Sequence, residues 1–117
     1  MAPVTSRSVA ILGSTGSIGT QALEVIAAHP GAFTVAALTA GGNVELLARQ
    51  AVEFDVPLVG VARGQVEDVR AAIAAAAADA GRPASVTDVV VGADAATIAA
   101  GCGADVVLNG ITGSIGL

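Results

Sequence analysis

Three glycines, each three residues from the next, form the part of this chain best suited to bind a phosphate group. They lie in the heptapeptide GSTGSIG of residues 13–19, directly after an apolar run at residues 9–12. Gly13 can adopt the positive φ of a tight turn, Gly16 lets the backbone approach a pyrophosphate, and Gly19 lets the next helix pack closely on the strand. The helix N-terminus then directs unpaired N–H groups at the anion. The pattern predicts a phosphate site, and a tight turn that binds nothing is the alternative.

The residues around this turn predict a strand, a helix and a second strand. Apolar residues recur at helical spacing after the turn, and the sequence His29-Pro30-Gly31 ends that helix. A second apolar run at residues 33–38 predicts the next strand. The spacing is G-x-x-G-x-x-G rather than the common G-x-G-x-x-G, so this βαβ context contributes much of the specificity.

The rest of the chain continues the alternation of helices and strands. Asn43 is placed to cap a helix over residues 44–52, and further helices are predicted over 65–80 and 94–100. Strands are predicted over residues 58–61, 88–91 and 105–109. This alternation predicts an α/β fold, a Rossmann-like doubly wound parallel sheet, for which we expect the strand order 3-2-1-4-5. The ligand crevice is then expected at the carboxyl ends of the first and fourth strands.

Composition narrows the classes of function. The 117 residues make one domain, residues 1–117, with two Phe and no Tyr or Trp. Five basic and ten acidic residues leave a net charge of −5, which argues against a nucleic-acid partner. The longest apolar run, residues 71–78, is far too short for a membrane span, and the N-terminus lacks the pattern of a secretion signal. We therefore expect a cytoplasmic location.

A second glycine heptapeptide, GITGSIG, follows the last predicted strand at residues 110–116 and differs from the first only in its second residue. We expect it beside the first turn at the crevice, and a steric turn without ligand contact is the alternative. The chain reaches Leu117 within what should be the first turn of another helix. We therefore expect the domain to be truncated at its C-terminus and to be the front of a longer enzyme.

The end of the second strand indicates which nucleotide is bound. NAD-binding folds place an acidic residue there for the ribose 2′-hydroxyl, but no Asp or Glu occurs from Phe33 to Val44. Gly41 and Gly42 leave room and free N–H groups, and Asn43 adds an amide, which together suit a 2′-phosphate. No Lys or Arg lies in this segment to neutralise that phosphate. The residues thus favour NADP, with a simple turn and a capping Asn as the alternative.

Three other polar residues invite functional readings. Ser14 could donate its hydroxyl to a phosphate or could tie the turn to itself. His29, at a helix end, is expected to be structural, because a cation complements the helix dipole there. Cys102, with no His or second Cys nearby in the sequence, is expected to be a buried packing residue.

Several segments in combination carry a resemblance to a known family. These are residues 11–21, His29, Pro30, Phe33, residues 40–44, residues 105–109, and then Gly113, Gly116 and Leu117. Together they resemble the 1-deoxy-D-xylulose 5-phosphate reductoisomerase family over nearly the whole chain. The likeness is weakest between Ala62 and Asp88.

The resemblance implies an NADPH-dependent enzyme that converts 1-deoxy-D-xylulose 5-phosphate to 2-C-methyl-D-erythritol 4-phosphate in the methylerythritol phosphate route to isoprenoids. It further implies Mg²⁺ or Mn²⁺ in the full-length parent, and a homodimer. Carried over by position, Thr15, Gly16, Ser17 and Ile18 bind the pyrophosphate side of NADPH at the Gly13 turn. The resemblance likewise implies that Gly41, Gly42 and Asn43 bind the adenosine 2′-phosphate, although many family members have Lys where Gly42 stands.

The resemblance assigns no catalytic or metal-binding residue within this chain, because the family's metal carboxylates lie downstream of Leu117. We therefore expect the segment alone to have no turnover. Two alternatives remain open. The chain could be a noncatalytic NADP-binding module, or part of another NADP-dependent reductase or epimerase such as a short-chain dehydrogenase, whose Tyr-x-x-x-Lys pair is absent from this sequence.

Overall fold

The computed structural model describes residues 6–83 and 87–110, within which five strands alternate with four helices. The strands are β1 (Arg7–Leu12), β2 (Phe33–Ala40), β3 (Leu58–Val61), β4 (Asp88–Val91) and β5 (Val106–Asn109). The helices are α1 (Ser17–Ala28), α2 (Val44–Glu53), α3 (Val66–Asp79) and α4 (Ala95–Ala100). The predicted alternation is therefore confirmed, and β2 extends two residues beyond the predicted end. No helix in this part of the chain has the length and apolar character needed to cross a bilayer.

The five strands form one parallel sheet in the order β4-β3-β2-β1-β5. The parallel α/β fold is as predicted, but the expected order 3-2-1-4-5 is wrong in the position of the fourth strand. Helix α3 packs beside α2, so β4 is added outside β3 and the sheet keeps growing in one direction. Helix α4 then lies across β3, β2 and β1 and brings the chain back to place β5 beside β1. The direction in which strands are added to the sheet therefore reverses one crossover later than expected. Right-handed connections alone do not determine at which crossover this reversal occurs.

A reciprocal pair of hydrogen bonds joins the starts of β1 and β5. The backbone N–H of Ser8 donates to a carboxylate oxygen of Asp105 at 3.0 Å, and the backbone N–H of Asp105 donates to the Ser8 hydroxyl at 2.9 Å. These bonds span 97 residues of sequence and hold the start of β5 against the start of β1. Asp105 therefore contributes to the register of the sheet.

Helices cover both faces of the sheet, as a doubly wound fold requires. Helices α1, α2 and α3 pack on one face against the larger core cluster, and α4 packs on the other face. The register slips between Val9 and Ala10 of β1, where β2 contains the extra residue Ala36. The slip leaves Val35 and Leu38 on the same face, and both are buried in the larger cluster.

The interfaces are built mainly from small and branched aliphatic side chains. Among the described residues, the buried members of the second cluster are Ala10, Leu12, Ala37 and Ala99, and their small size brings α4 close to the strands. A Cβ atom placed on Gly60 would lie 3.0 Å from the Cβ of Ala95, so even one methyl group would crowd this contact. The close approach of α4 forms one wall of the crevice described below.

Candidate cofactor-binding site

The carboxyl ends of all five strands open onto one cavity of about 280 Å³. Ligand crevices of parallel sheets lie at this edge, next to the point where the strand order reverses. The reversal here lies between β1 and β5, which corrects the expected crevice between strands one and four. The described lining residues are all small: Gly13, Thr15, Gly16, Thr39, Ala40, Gly41, Ala62, Gly92, Ala93, Ala95, Ala96 and Gly110.

The first glycine turn leaves β1 and enters this cavity. Gly13 has a φ of 80°, the left-handed conformation predicted for it. Its N–H donates to the carbonyl oxygen of Thr39 at 3.0 Å and to the Thr39 hydroxyl at 3.1 Å. The N–H of Ser14 donates to the same carbonyl at 2.8 Å. The end of β2 therefore holds the turn in place.

The other two glycines of the turn have different steric roles. A Cβ atom on Gly19 would lie 2.5 Å from the Cα of Ser14 and closer still to the carbonyl oxygen of Gly13. Gly19 is thus required for the helix to pack on the turn. A Cβ atom on Gly16 would lie 3.6 Å from the carbonyl oxygen of Gly13 and 3.8 Å from that of Gly110. These are ordinary contact distances, and Gly16 lines the cavity between the ends of β1 and β5, where a ligand can approach the backbone.

The N-terminus of α1 is available to bind an anion. Gly16 is its N-cap, and no side chain in the described part of the chain caps the helix. The N–H of Thr20 donates to the carbonyl oxygen of Gly16 at 2.9 Å, as the first bond of the helical ladder. The N–H groups of Ser17 and Ile18 precede that bond and have no acceptor among the described residues. With the helix dipole, these groups give the turn a positive electrostatic potential.

Ser14 has a structural position. Its side chain is fully buried, and its hydroxyl donates to Oε1 of Gln50 at 2.7 Å. Nε2 of Gln50 in turn donates to the carbonyl oxygen of Ser14 at 3.0 Å. The Ser14 hydroxyl therefore points to α2 and away from the cavity, so the possible phosphate contact is not made. Sequence reasoning missed Gln50, because a buried glutamine in a helix has no local signal.

The second predicted turn, residues 41–43, connects β2 to α2. Gly41 lines the main cavity, and Gly42 and Asn43 line a more open groove at the N-terminus of α2. Asn43 caps this helix as predicted, since its Oδ1 accepts from the N–H of Leu46 at 3.3 Å. Neither glycine of this turn has a positive φ. Their lack of side chains therefore provides space rather than a special backbone conformation.

A residue that the sequence did not indicate lies against this turn. Arg63 follows β3, and its N–H donates to the carbonyl oxygen of Gly41 at 3.2 Å. Cβ atoms on Gly41 and Gly42 would lie 3.7 and 3.3 Å from Nη2 of Arg63. The basic side chain of Arg63 therefore reaches residues 41–43, a segment that contains no Lys or Arg. In the sequence, only the position of Arg63 could have indicated this contact, because Arg63 lies just past the carboxyl end of β3, the strand next to β2.

The start of the second glycine heptapeptide lies beside the first turn. Gly110 lines the cavity, and its N–H donates to the carbonyl oxygen of Leu12 at 2.7 Å. A Cβ atom on Gly110 would lie 3.3 Å from the N atom of Gly19, so the two turns are in close contact. Residues 111–116 of the heptapeptide lie outside the described residues.

The described residues provide no acid, base or metal ligand in this cavity. Its lining consists of glycine, alanine and threonine, and no group of three or more His, Cys, Asp or Glu in residues 6–83 and 87–110 could hold a metal ion. Nδ1 of His29 lies 2.9 Å from the carbonyl oxygen of Val25 at the end of α1, in the expected structural position. Cys102 is exposed, so its predicted burial is wrong. The short helix α4 ends at Ala100 and leaves it uncovered.

Comparison with known proteins places the chain among reductoisomerases. The family model for 1-deoxy-D-xylulose 5-phosphate reductoisomerase matches residues 9–117. A relative of that name from Beutenbergia cavernae is 61% identical over 115 residues, which is 97% of this chain and 28% of the relative. One from Pseudarthrobacter chlorophenolicus is 55% identical over 112 residues, which is 95% of this chain and 28% of the relative. The chain thus spans about a quarter of the length of these relatives.

Solved structures give the same assignment. The Zymomonas mobilis 1-deoxy-D-xylulose 5-phosphate reductoisomerase in complex with NADPH is similar with a TM-score of 0.70 and 34% identity, over 88% of this chain and 25% of that one. A reductoisomerase in complex with NADPH, fosmidomycin and magnesium is similar with a TM-score of 0.58 and 32% identity. That match covers 78% of this chain and 22% of the other.

Proposed function

The chain belongs to the 1-deoxy-D-xylulose 5-phosphate reductoisomerase family, and we propose that its crevice binds the NADPH of such an enzyme. The observation that carries the proposal is the uncapped N-terminus of α1, which opens from the Gly13 turn at the point where the strand order reverses. This is where a parallel sheet binds a dinucleotide. The similar Zymomonas mobilis structure contains NADPH.

The proposal assigns a phosphate group to each of the two turns. Thr15 and Gly16 line the cavity, and Ser17 and Ile18 present free N–H groups, so these four residues bind the pyrophosphate at the Gly13 turn. Gly41, Gly42 and Asn43 bind the adenosine 2′-phosphate.

The position of Gly16 in the cavity lining supports the first assignment. An anion there can meet backbone N–H groups without displacing a side chain. The Asn43 oxygen already accepts from Leu46, so the side-chain contribution of Asn43 to a phosphate is its amide N–H.

For the whole enzyme, we propose the conversion of 1-deoxy-D-xylulose 5-phosphate to 2-C-methyl-D-erythritol 4-phosphate, with NADPH as the hydride donor. A cytoplasmic location and a homodimer are further parts of this proposal, and the homodimer follows from the family resemblance. The described residues do not fit Mg²⁺ or Mn²⁺, because they contain no cluster of metal ligands. Residues 6–83 and 87–110 are therefore assigned to cofactor binding alone.

Calorimetric titration of the chain with NADPH and with NADH tests the binding proposal. We expect both to bind, because they share the pyrophosphate, and NADPH to bind more tightly. Absence of binding by either nucleotide would contradict the phosphate cradle. Affinity for NADH equal to or greater than that for NADPH would contradict only the assignment of the second turn.

A turnover assay tests whether this segment binds the cofactor without catalysing the reaction. Residues 1–117 with NADPH and 1-deoxy-D-xylulose 5-phosphate should give no loss of absorbance at the nicotinamide band, because the described cavity contains no titratable group. Detectable oxidation of NADPH would overturn the assignment to binding alone.

A further inference from the structure

The second turn has no positively charged side chain to neutralise the phosphate at the proposed 2′-phosphate site. A phosphate monoester carries a charge of about −1.5 to −2 at pH 7. The chain has a net charge of −5, and no Lys or Arg occurs from Phe33 to Ala48. A site that prefers the phosphorylated nucleotide therefore needs a cation from another part of the fold.

The parallel pairing of β2 and β3 brings such a cation to the turn. The backbone N–H of Ala62 donates to the carbonyl oxygen of Ala40 at 3.0 Å, and that of Arg63 donates to the carbonyl oxygen of Gly41 at 3.2 Å. The two segments that follow β2 and β3 thus stay paired beyond the ends of both strands. Arg63 is thereby anchored beside the second turn by its own backbone.

The guanidinium group of Arg63 is free to bind a ligand. It makes no hydrogen bond and no ion pair with any other residue in the described part of the chain, and Arg63 is exposed. Its Nη2 would lie 3.3 Å from a Cβ atom on Gly42, and its Nε would lie 3.8 Å from that atom. Because Gly42 has an ordinary φ, its role is to leave this space to the guanidinium.

Arg49 is the competing cation, since it lines the groove that contains Gly42 and Asn43. Glu45 lines the same groove one turn earlier in α2, and Glu45 and Asp79 line a neighbouring groove together with Arg49. Glu45 and Asp79 therefore place negative charge in the grooves that Arg49 lines. Arg63 is the better candidate, because its guanidinium lies directly against the two glycines of the turn, Gly41 and Gly42.

We propose that Arg63 is the specificity-determining residue for the 2′-phosphate of NADPH, and that it supplies from β3 the charge that is missing after β2. The inference rests on the proposed cofactor function. A guanidinium can donate two parallel hydrogen bonds to phosphate oxygens, which an unphosphorylated ribose does not offer. Arg63 therefore distinguishes NADPH from NADH and leaves the shared pyrophosphate contacts unchanged.

The test compares Arg63→Gln with unsubstituted protein in calorimetric titrations with NADPH and NADH. We expect NADPH affinity to fall about 10- to 100-fold, as for lost charge-assisted hydrogen bonds, and NADH affinity to change by less than about twofold. Arg7→Gln is the matched control, because Arg7 begins β1 and so lies at the amino ends of the strands, away from the crevice at their carboxyl ends. It should leave both affinities unchanged, and Arg49→Gln should lower NADPH affinity far less than Arg63→Gln.

A second variant protects the test against a local folding effect. Gly42→Lys in the Arg63→Gln background should restore part of the preference for NADPH, because a side chain at position 42 enters the space that the guanidinium leaves. An NADPH preference that survives Arg63→Gln, or an equal loss of affinity for both nucleotides, would overturn the role of Arg63. Failure of the unsubstituted protein to bind either nucleotide would instead overturn the cofactor proposal.

Discussion

Ser14 and Gln50 hold the phosphate-binding turn and helix α2 together through two buried hydrogen bonds. The Ser14 hydroxyl donates to Oε1 of Gln50 at 2.7 Å, and Nε2 of Gln50 donates to the Ser14 carbonyl oxygen at 3.0 Å. Both residues are buried, so water cannot replace either bond. The turn is thus fixed from behind by a side chain 36 residues away.

Replacement of Gln50 by Leu should destabilise the protein by about 1–3 kcal/mol, because it leaves the Ser14 hydroxyl and carbonyl buried without partners. Ser14→Ala in the same background should regain part of the loss, since it removes one unsatisfied group. Urea unfolding followed by circular dichroism measures both effects, and the absence of Trp and Tyr makes intrinsic fluorescence unsuitable. Gln21→Leu, on the exposed face of α1, is the control. Equal stability of the Gln21 and Gln50 variants would show that the buried pair contributes nothing.

Replacement of Gly19 by Ala should destabilise the fold by about 1–3 kcal/mol or more, because the added methyl group meets backbone atoms that cannot rotate away. The nearest of these are the Gly13 carbonyl oxygen and the Ser14 Cα. Gly101→Ala is the matched control. Its Cβ atom would lie 3.5 Å from the Thr97 carbonyl oxygen, and Gly101 has a φ of −90°. Chemical denaturation should separate the two variants, and a fully stable Gly19→Ala protein would refute the close packing of α1 on the turn.

Replacement of Gly16 by Val should affect binding rather than folding. Gly16 has a φ of −81° and a ψ of 176°, a conformation that valine adopts readily, and its Cβ atom would make only ordinary contacts. The branched side chain would occupy the space proposed for the pyrophosphate. We expect NADPH and NADH affinities to fall at least about tenfold, or about 1.4 kcal/mol, in calorimetric titration. Unchanged affinity in a folded variant would mean that the cradle lies elsewhere.

Replacement of Asp105 by Ala should loosen the attachment of β5 to β1. The variant loses the acceptor for the Ser8 N–H, and we expect a cost of about 0.5–1.5 kcal/mol in unfolding free energy. Asp94→Ala is the control of equal charge change. Asp94 is the N-cap of α4 but makes no side-chain capping bond, so its loss should cost less than about 0.5 kcal/mol. Indistinguishable denaturation curves for the two variants would argue against the Asp105 contribution.

The sequence alone determined the features that depend on residues close together in the chain. The positive φ of Gly13, the N-cap at Asn43 and the alternation of strands and helices all follow from local backbone preferences and apolar periodicity. The first glycine turn is recognisable for the same reason, since strand, turn and helix are consecutive.

Only the tertiary structure decided which distant elements meet. The outer position of β4, the burial of Ser14 against Gln50 and the approach of Arg63 to Gly42 each join residues that are far apart in sequence. Such contacts depend on which crossover reverses the sheet and on which side chains then share a small space. Several arrangements satisfy the same local pattern, and packing selects one of them because it alone buries the apolar faces and pairs the buried polar groups.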